Sequence, residues 1–88
     1  MGKYIAQSKD VIWRRIGDDI VIIREGELFS HILNKTASVI WEMCDGKNSI
    51  DDITSKICER FEVSYNEAQA DVNTTIKVLT KANVLKYN

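Results

Sequence analysis

The sequence has no proline, only four glycines, two cysteines and one histidine. The scarcity of these residues argues against several classes of function. The glycines, at positions 2, 17, 26 and 46, do not form a loop that could cradle a phosphate. A structural zinc site needs about four ligands, and Cys44, Cys58 and His31 do not complete such a set. His31 follows Ser30 on a predicted strand, where adjacent side chains point to opposite faces, so the two cannot act as base and nucleophile. We therefore expect no enzyme activity, no metal and no cofactor.

Neither sign of charge is in excess, because 12 Lys and Arg stand against 13 Asp and Glu, which gives a net charge of −1. Proteins that wrap a phosphate backbone usually carry a basic surplus, so nucleic acid is not the expected partner. No long apolar run resembles a signal peptide or a membrane helix, and we expect a cytoplasmic protein that does not bind membranes. The length of 88 residues suits one domain, 1–88.

Residues 11–33 are dense in β-branched side chains and are interrupted by two short turns that contain Gly17 and Gly26. This pattern predicts three antiparallel strands joined by two hairpins. The middle segment, Ile20–Ile23, is apolar at four consecutive positions, which favours a strand covered on both faces. A meander of three strands is not stable alone, so we expect it to pack against the remainder of the chain.

The remainder of the chain changes to a helical period and predicts helices at about 35–44, 50–61 and 65–82. Asn34 and Ser49 are suitable N-caps, and Ser64 with Glu67 forms a capping-box pattern before the third helix. Gly46 is expected to end the first helix in a left-handed conformation. The predicted fold class is α+β, a winged-helix-like arrangement in which a three-stranded antiparallel sheet is followed by three helices.

The third predicted strand, Leu28–Leu33, has an edge without proline or charge, whereas the first strand carries Arg14 and Arg15. Natural sheets usually protect such edges. An unprotected edge beside a long helix could bind an extended peptide as a fourth strand. Alternatively, the tail after Leu85, the ten N-terminal residues or a second copy of the chain could cover it. The residues alone leave both interpretations open.

A winged-helix DNA-binding protein is the alternative function, with the third helix in the major groove. The outward positions of that helix carry two acidic residues and two lysines, and no arginine that could bind guanine. These positions are Asn66, Glu67, Gln69, Asp71, Asn73, Thr74, Lys77 and Lys81. The helix therefore lacks the excess of positive charge that binding to DNA phosphates requires. A third hypothesis is a structural domain that forms a homodimer through the same strand edge.

The chain also resembles the pyrroloquinoline quinone biosynthesis protein D (PqqD) family over about residues 10–86. The most specific part is the block Leu33-Asn34-x-x-Ala37-x-x-Ile40-Trp41-x-x-Cys44-Asp45-Gly46, followed by Ile50-x-x-Ile53, Ile57, Asp71-Val72-x-x-x-Ile76-x-x-Leu79 and Val84-Leu85. Many members place glycine before the terminal Val-Leu, where this chain has Asn83, the next best residue for a left-handed helix stop.

The resemblance implies a non-catalytic peptide chaperone that binds the leader of a ribosomally synthesised, post-translationally modified precursor peptide. It also implies a partner enzyme that modifies the precursor, commonly of the radical S-adenosylmethionine type, as in pyrroloquinoline quinone biosynthesis. In that family the leader adds to the third strand and rests against the third helix. The match and the helical geometry together give these candidate peptide-binding residues: Leu28, Phe29, Ser30, His31, Ile32, Asp71, Thr74, Thr75, Val78 and Lys81.

Overall fold

Two three-stranded antiparallel sheets and three helices make up the computed structural model, which describes residues 4–27 and 30–87. The α+β class and the sheet followed by three helices are confirmed, and a second sheet is present that the sequence did not predict. In chain order the elements are β1 (Tyr4–Gln7), β2 (Val11–Ile16), β3 (Asp19–Arg24), β4 (Ser30–Leu33), α1 (Lys35–Met43), β5 (Asp45–Ser49), α2 (Ile50–Phe61), α3 (Tyr65–Lys81) and β6 (Leu85–Tyr87).

The predicted meander forms one sheet in the order β2-β3-β4. The β2–β3 hairpin has a two-residue turn, because Ile16 pairs directly with Asp19. Gly17 has φ +64°, which suits the first central position of a type II′ turn, where a side chain would be strained. The other sheet has the order β5-β1-β6, so β1 lies between two strands that come much later in the sequence.

Two details of the helix ends differ from the sequence prediction. Helix α1 ends at Met43 with Cys44 as its cap, and Gly46, at φ +83°, lies instead within β5, whose pairing with β1 is irregular. The reciprocal capping box is found at α2, where Ser49 and Asp52 exchange hydrogen bonds. At α3 the Ser64 side chain accepts from the Glu67 amide at 3.2 Å. Asn83 has φ +63°, which confirms the left-handed stop after α3.

The core lies where the inner face of the β2-β3-β4 sheet, the three helices and the second sheet meet. Its buried apolar side chains are Ile5, Ile20, Ile22, Leu33, Val39, Ile40, Trp41, Cys44, Ile53, Ile57, Ala68, Val72, Ile76, Leu79, Val84 and Leu85. Ala68, Val72, Ile76 and Leu79 of α3 are therefore buried, and α3 packs against α2. Trp41 of α1 meets Trp13 of β2 edge to face, with ring centroids 6.3 Å apart. This contact attaches the sheet to the helices.

The two cysteines are free thiols, with Cys44 buried and Cys58 half-buried. Burial, together with the negative charge of Asp45, raises the pKa of the Cys44 thiol to about 12. Because the thiolate is the reactive form, we expect Cys44 to resist iodoacetamide at pH 8 in the folded protein and to react after denaturation. Peptide mapping by mass spectrometry measures this, with Cys58 as the internal reference. Equal alkylation of both thiols under native conditions would contradict the buried position of Cys44.

Candidate functional site

The edge of β4 is open in the part of the chain that the structure describes. Strand β4 pairs with β3 on one side and has no strand neighbour on the other. The N-terminal strand and the tail after Leu85 pair with each other as β1 and β6, so neither covers this edge. Coverage of this edge by residues 4–7 or 85–87 is therefore wrong, and coverage by a second copy of the chain stays open.

The hairpin fixes which backbone groups of β4 face outward. A two-residue turn makes Ile16 and Asp19 a hydrogen-bonded pair, and such pairs alternate along an antiparallel ladder. The amide of Glu25 donates to the carbonyl of Asp10 at 3.0 Å, which agrees with this alternation. The backbone N–H and C=O groups of Ile20 and Ile22 therefore face β4, where these residues pair with Leu33 and His31.

It follows that Ser30 and Ile32 direct their backbone N–H and C=O groups to the open edge.

The side chains of β4 alternate between the two faces of the sheet. Leu33 is buried and His31 is half-buried on the inner face, whereas Ser30 and Ile32 are exposed on the outer face. The Nε2 atom of His31 is buried and has no hydrogen-bond partner among the described residues. Of the five strand residues named from the sequence, Leu28 and Phe29 lie outside the residues that the structure describes.

Helix α3 and the first turn of α1 form a polar groove beside the end of β4. Asp71, Thr74 and Thr75 line a cavity of about 230 Å³. The opposite wall comes from residues that the sequence analysis did not assign to the site: Asn34, Thr36 and Ala37. Because Asn34 directly follows β4, the strand edge and the groove are continuous in the chain. The helix start was recognisable in the sequence, but its position against α3 depends on tertiary packing.

The last two residues named on α3 are placed differently. Val78 lies one helical turn beyond Thr74 and two beyond Asp71, and it is 57% exposed. Lys81 lines another cavity, of about 500 Å³, together with Ile50, Lys77 and Tyr87. The structure thus brings Asp71, Thr74 and Thr75 together with the start of α1 and does not bring Lys81 to them.

The site presents groups that are suited to binding a peptide. Its walls offer hydroxyl groups, one carboxylate from Asp71 and the unpaired backbone groups of β4. Within residues 4–27 and 30–87, no three His, Cys, Asp or Glu side chains are grouped so that they could hold a metal ion. In the same part of the chain, no helix has the length and apolar character needed to cross a membrane.

Comparisons with known proteins agree with this architecture. The family model described as coenzyme PQQ synthesis protein D (PqqD) matches residues 19–85. No curated protein matches the sequence.

Two solved structures share the fold. TbiB1, solved in complex with the TbiA(beta) leader peptide, is 20% identical, with a TM-score of 0.83, and the match covers 92% of this chain and 94% of that one. The solution structure of the PqqD truncation of Methylobacterium extorquens PqqCD is 17% identical, with a TM-score of 0.75. That match covers 93% of this chain and 87% of the other, which is described as a functional, stand-alone recognition element for ribosomally synthesised and post-translationally modified peptides.

Proposed function

This chain belongs to the PqqD family, and on that premise we propose that it is a non-catalytic module that binds the leader of a ribosomally synthesised precursor peptide. The module presents the precursor to a modifying enzyme, of the radical S-adenosylmethionine type or another class. The observation that carries the proposal is the open edge of β4 beside the groove of α1 and α3. The leader-bound structure of the similar protein TbiB1 supports it.

The leader binds by adding a fourth strand to the sheet at β4. Ser30 and Ile32 each offer one N–H and one C=O group, and each backbone bond contributes about 0.5–1.5 kcal/mol net. Alternate leader side chains enter the groove on the inner face, near His31 and Thr75. Burial of leader side chains adds to the backbone bonds, and ordering a flexible leader offsets several kcal/mol of the sum. We therefore expect a dissociation constant on the order of micromolar. Such an affinity lets the module release its product.

DNA binding is not favoured by the site. Among the described residues, the exposed side of α3 mixes Glu67 and Asp71 with Lys77 and Lys81. A duplex requires a continuous positive surface, because phosphate contacts dominate affinity. Retention on double-stranded DNA at low salt, lost steeply as salt is added, would favour this alternative over peptide binding.

Peptide binding can be tested with candidate leader peptides, taken from short reading frames near the gene and added to the purified protein. We expect a dissociation constant on the order of micromolar by fluorescence anisotropy. Hydrogen exchange resolved by NMR adds a sharper criterion. The amide of His31 faces Ile22 and is slow in the free protein, whereas the amides of Ser30 and Ile32 become slow only with bound peptide.

The same experiment defines the contrary results. No binding at about 1 mM peptide, or new protection confined to the β5-β1-β6 sheet, would contradict the proposal. Sedimentation equilibrium serves as the control for the homodimer hypothesis, because a dimer formed through β4 would occupy the edge that the leader needs. The free protein is expected to sediment with the mass of one chain.

A further inference from the structure

The outer face of the β2-β3-β4 sheet is apolar and uncovered, although the sequence of β3 predicts cover on both faces. Four isoleucines dominate this face: Ile12 is 70% exposed, Ile16 61%, Ile23 49% and Ile32 72%. The strand register places them in cross-strand rows, with Ile12 opposite Ile23 and Val21 opposite Ile32. Val21, Arg14, Asp19 and Ser30 lie on the same side, and together with the isoleucines they form what we term the outer sheet face.

The domain does not need this face for its own core. The inner face of the same strands supplies the buried residues Ile20, Ile22 and Leu33. A polar outer face would complete an ordinary half-buried antiparallel sheet. Contiguous apolar surface of this kind marks an interaction site on a monomeric protein. A shallow cavity of about 330 Å³ lies in it, lined by Ile12, Arg14, Val21 and Ile23 among others.

We propose that the outer sheet face is the docking surface for the modifying enzyme, and that the enzyme meets it with an apolar surface that carries a carboxylate opposite Arg14. This inference rests on the proposed function, since it assumes a leader at β4. It identifies a second surface of the module and leaves the leader groove on the inner side.

Arg14 gives the charge argument for the partner. Its side chain belongs to the outer sheet face because Arg14 is two residues from both Ile12 and Ile16 along β2, and residues two apart in a strand share a face. No carboxylate of the described residues forms an ion pair with it, whereas the adjacent Arg15 pairs with Glu42. A partner that covers this face removes water from the Arg14 guanidinium, which is favourable only if the partner supplies an acceptor, best a carboxylate.

A second copy of the chain does not meet this requirement. The middle row of the face runs from Arg14 through Val21 to Ile32. If two such faces packed with aligned strands about a two-fold axis centred on Val21, Arg14 would lie against Arg14 or Ile32 of the other copy, and Asp19 against Ile23 or Asp19. Both arrangements bury charges without a partner of opposite sign. The geometry therefore favours a different protein.

The leader strand extends the outer sheet face. When a strand adds to β4, its residues opposite Ser30 and Ile32 place their side chains on the outer side, next to Ile32. The enzyme then contacts both the module and the leader through one continuous surface. Each ligand must raise the affinity for the other by the same factor. The enzyme is recruited preferentially to the loaded module.

The test uses the modifying enzyme encoded beside the precursor gene, the leader peptide of that precursor and the full chain. The variant I12T/R14E keeps a β-branched residue on β2 and reverses the charge of the face. We expect it to bind the enzyme about tenfold more weakly or worse, by surface plasmon resonance. Its affinity for the leader stays within about twofold of wild type. The matched charge reversal Arg60→Glu, at an exposed position of α2, is expected to leave both affinities unchanged.

The outcomes separate this inference from the proposed function. If the variant binds leader and enzyme as wild type does, the docking surface is wrong and the leader-binding function stands. If the wild-type protein binds no leader, the proposed function fails and the inference fails with it. If the wild-type protein sediments as a dimer and the variant as a monomer, a second copy occupies the face, which also overturns the inference. Unchanged circular dichroism spectra and melting curves exclude misfolding of the variant.

Discussion

Ser30→Pro is expected to weaken leader binding by roughly five- to 150-fold, which corresponds to about 1–3 kcal/mol for one unsatisfied backbone partner. The N–H of Ser30 faces the open edge, so proline removes a donor to the leader and no donor to β3. Edge strands tolerate proline when the missing N–H faces away from the sheet. We therefore expect the helical signal in circular dichroism and the unfolding midpoint to remain close to wild type.

Two further substitutions make this result specific. Ser30→Ala keeps the backbone donor and removes only an exposed hydroxyl, so the leader affinity is expected to stay within about twofold of wild type. His31→Pro removes an N–H that pairs with Ile22, and we expect a loss of folding stability because proline breaks the β3–β4 ladder. Equal leader affinity of the Ser30→Pro and Ser30→Ala variants would show that the leader does not pair with β4.

Trp41→Ala is expected to lower the free energy of unfolding by about 3–5 kcal/mol. Trp41 is fully buried and is the largest side chain of the core. Its ring contacts Trp13, so the truncation leaves a cavity at the point where α1 packs on the β2-β3-β4 sheet. Native domains have a total stability of about 5–15 kcal/mol, so a domain at the lower end of this range would be close to unfolded at room temperature after the substitution.

Urea denaturation followed by far-ultraviolet circular dichroism measures this loss. The Nε1 atom of Trp41 has no hydrogen-bond partner among the described residues, so a donor is not essential at this position. Trp41→Phe keeps an aromatic ring and is expected to lose less stability than Trp41→Ala. If both substitutions cost the same, the indole would act through something other than packing, and the proposed role of the Trp13–Trp41 contact would be wrong.

The main sheet could be predicted because β-branched residues are dense on both sides of the turns at Gly17 and Gly26. The three helices could be predicted because their apolar residues follow a helical period and because Asn34, Ser49 and Ser64 are suitable caps. The β5-β1-β6 sheet could not be predicted in this way. Its strands are three to five residues long, and β5 has the polar sequence DGKNS. These strands form through pairing of distant backbone segments, which leaves little local signal.

The candidate site was accessible to sequence reasoning only in part. The lack of charge on the third strand identified its open edge, and helical spacing grouped Asp71, Thr74 and Thr75. Lys81 comes ten residues after Asp71, so it lies about 15 Å further along α3 and about 80° away around the helix axis. It therefore lines a different cavity. The groove wall formed by Thr36 and Ala37 depends on how α1 crosses α3, which no local pattern specifies. The contact roles of all these residues remain predictions.

The register of β4 has a consequence for how precursor sequences vary. A strand paired to it turns every second side chain toward the groove and the intervening ones toward the outer sheet face. The module then contacts one half of the side chains of this short segment, and the enzyme contacts the other half. Substitutions in a leader should accordingly fall into two alternating sets, one that impairs capture by the module and one that impairs only delivery to the enzyme.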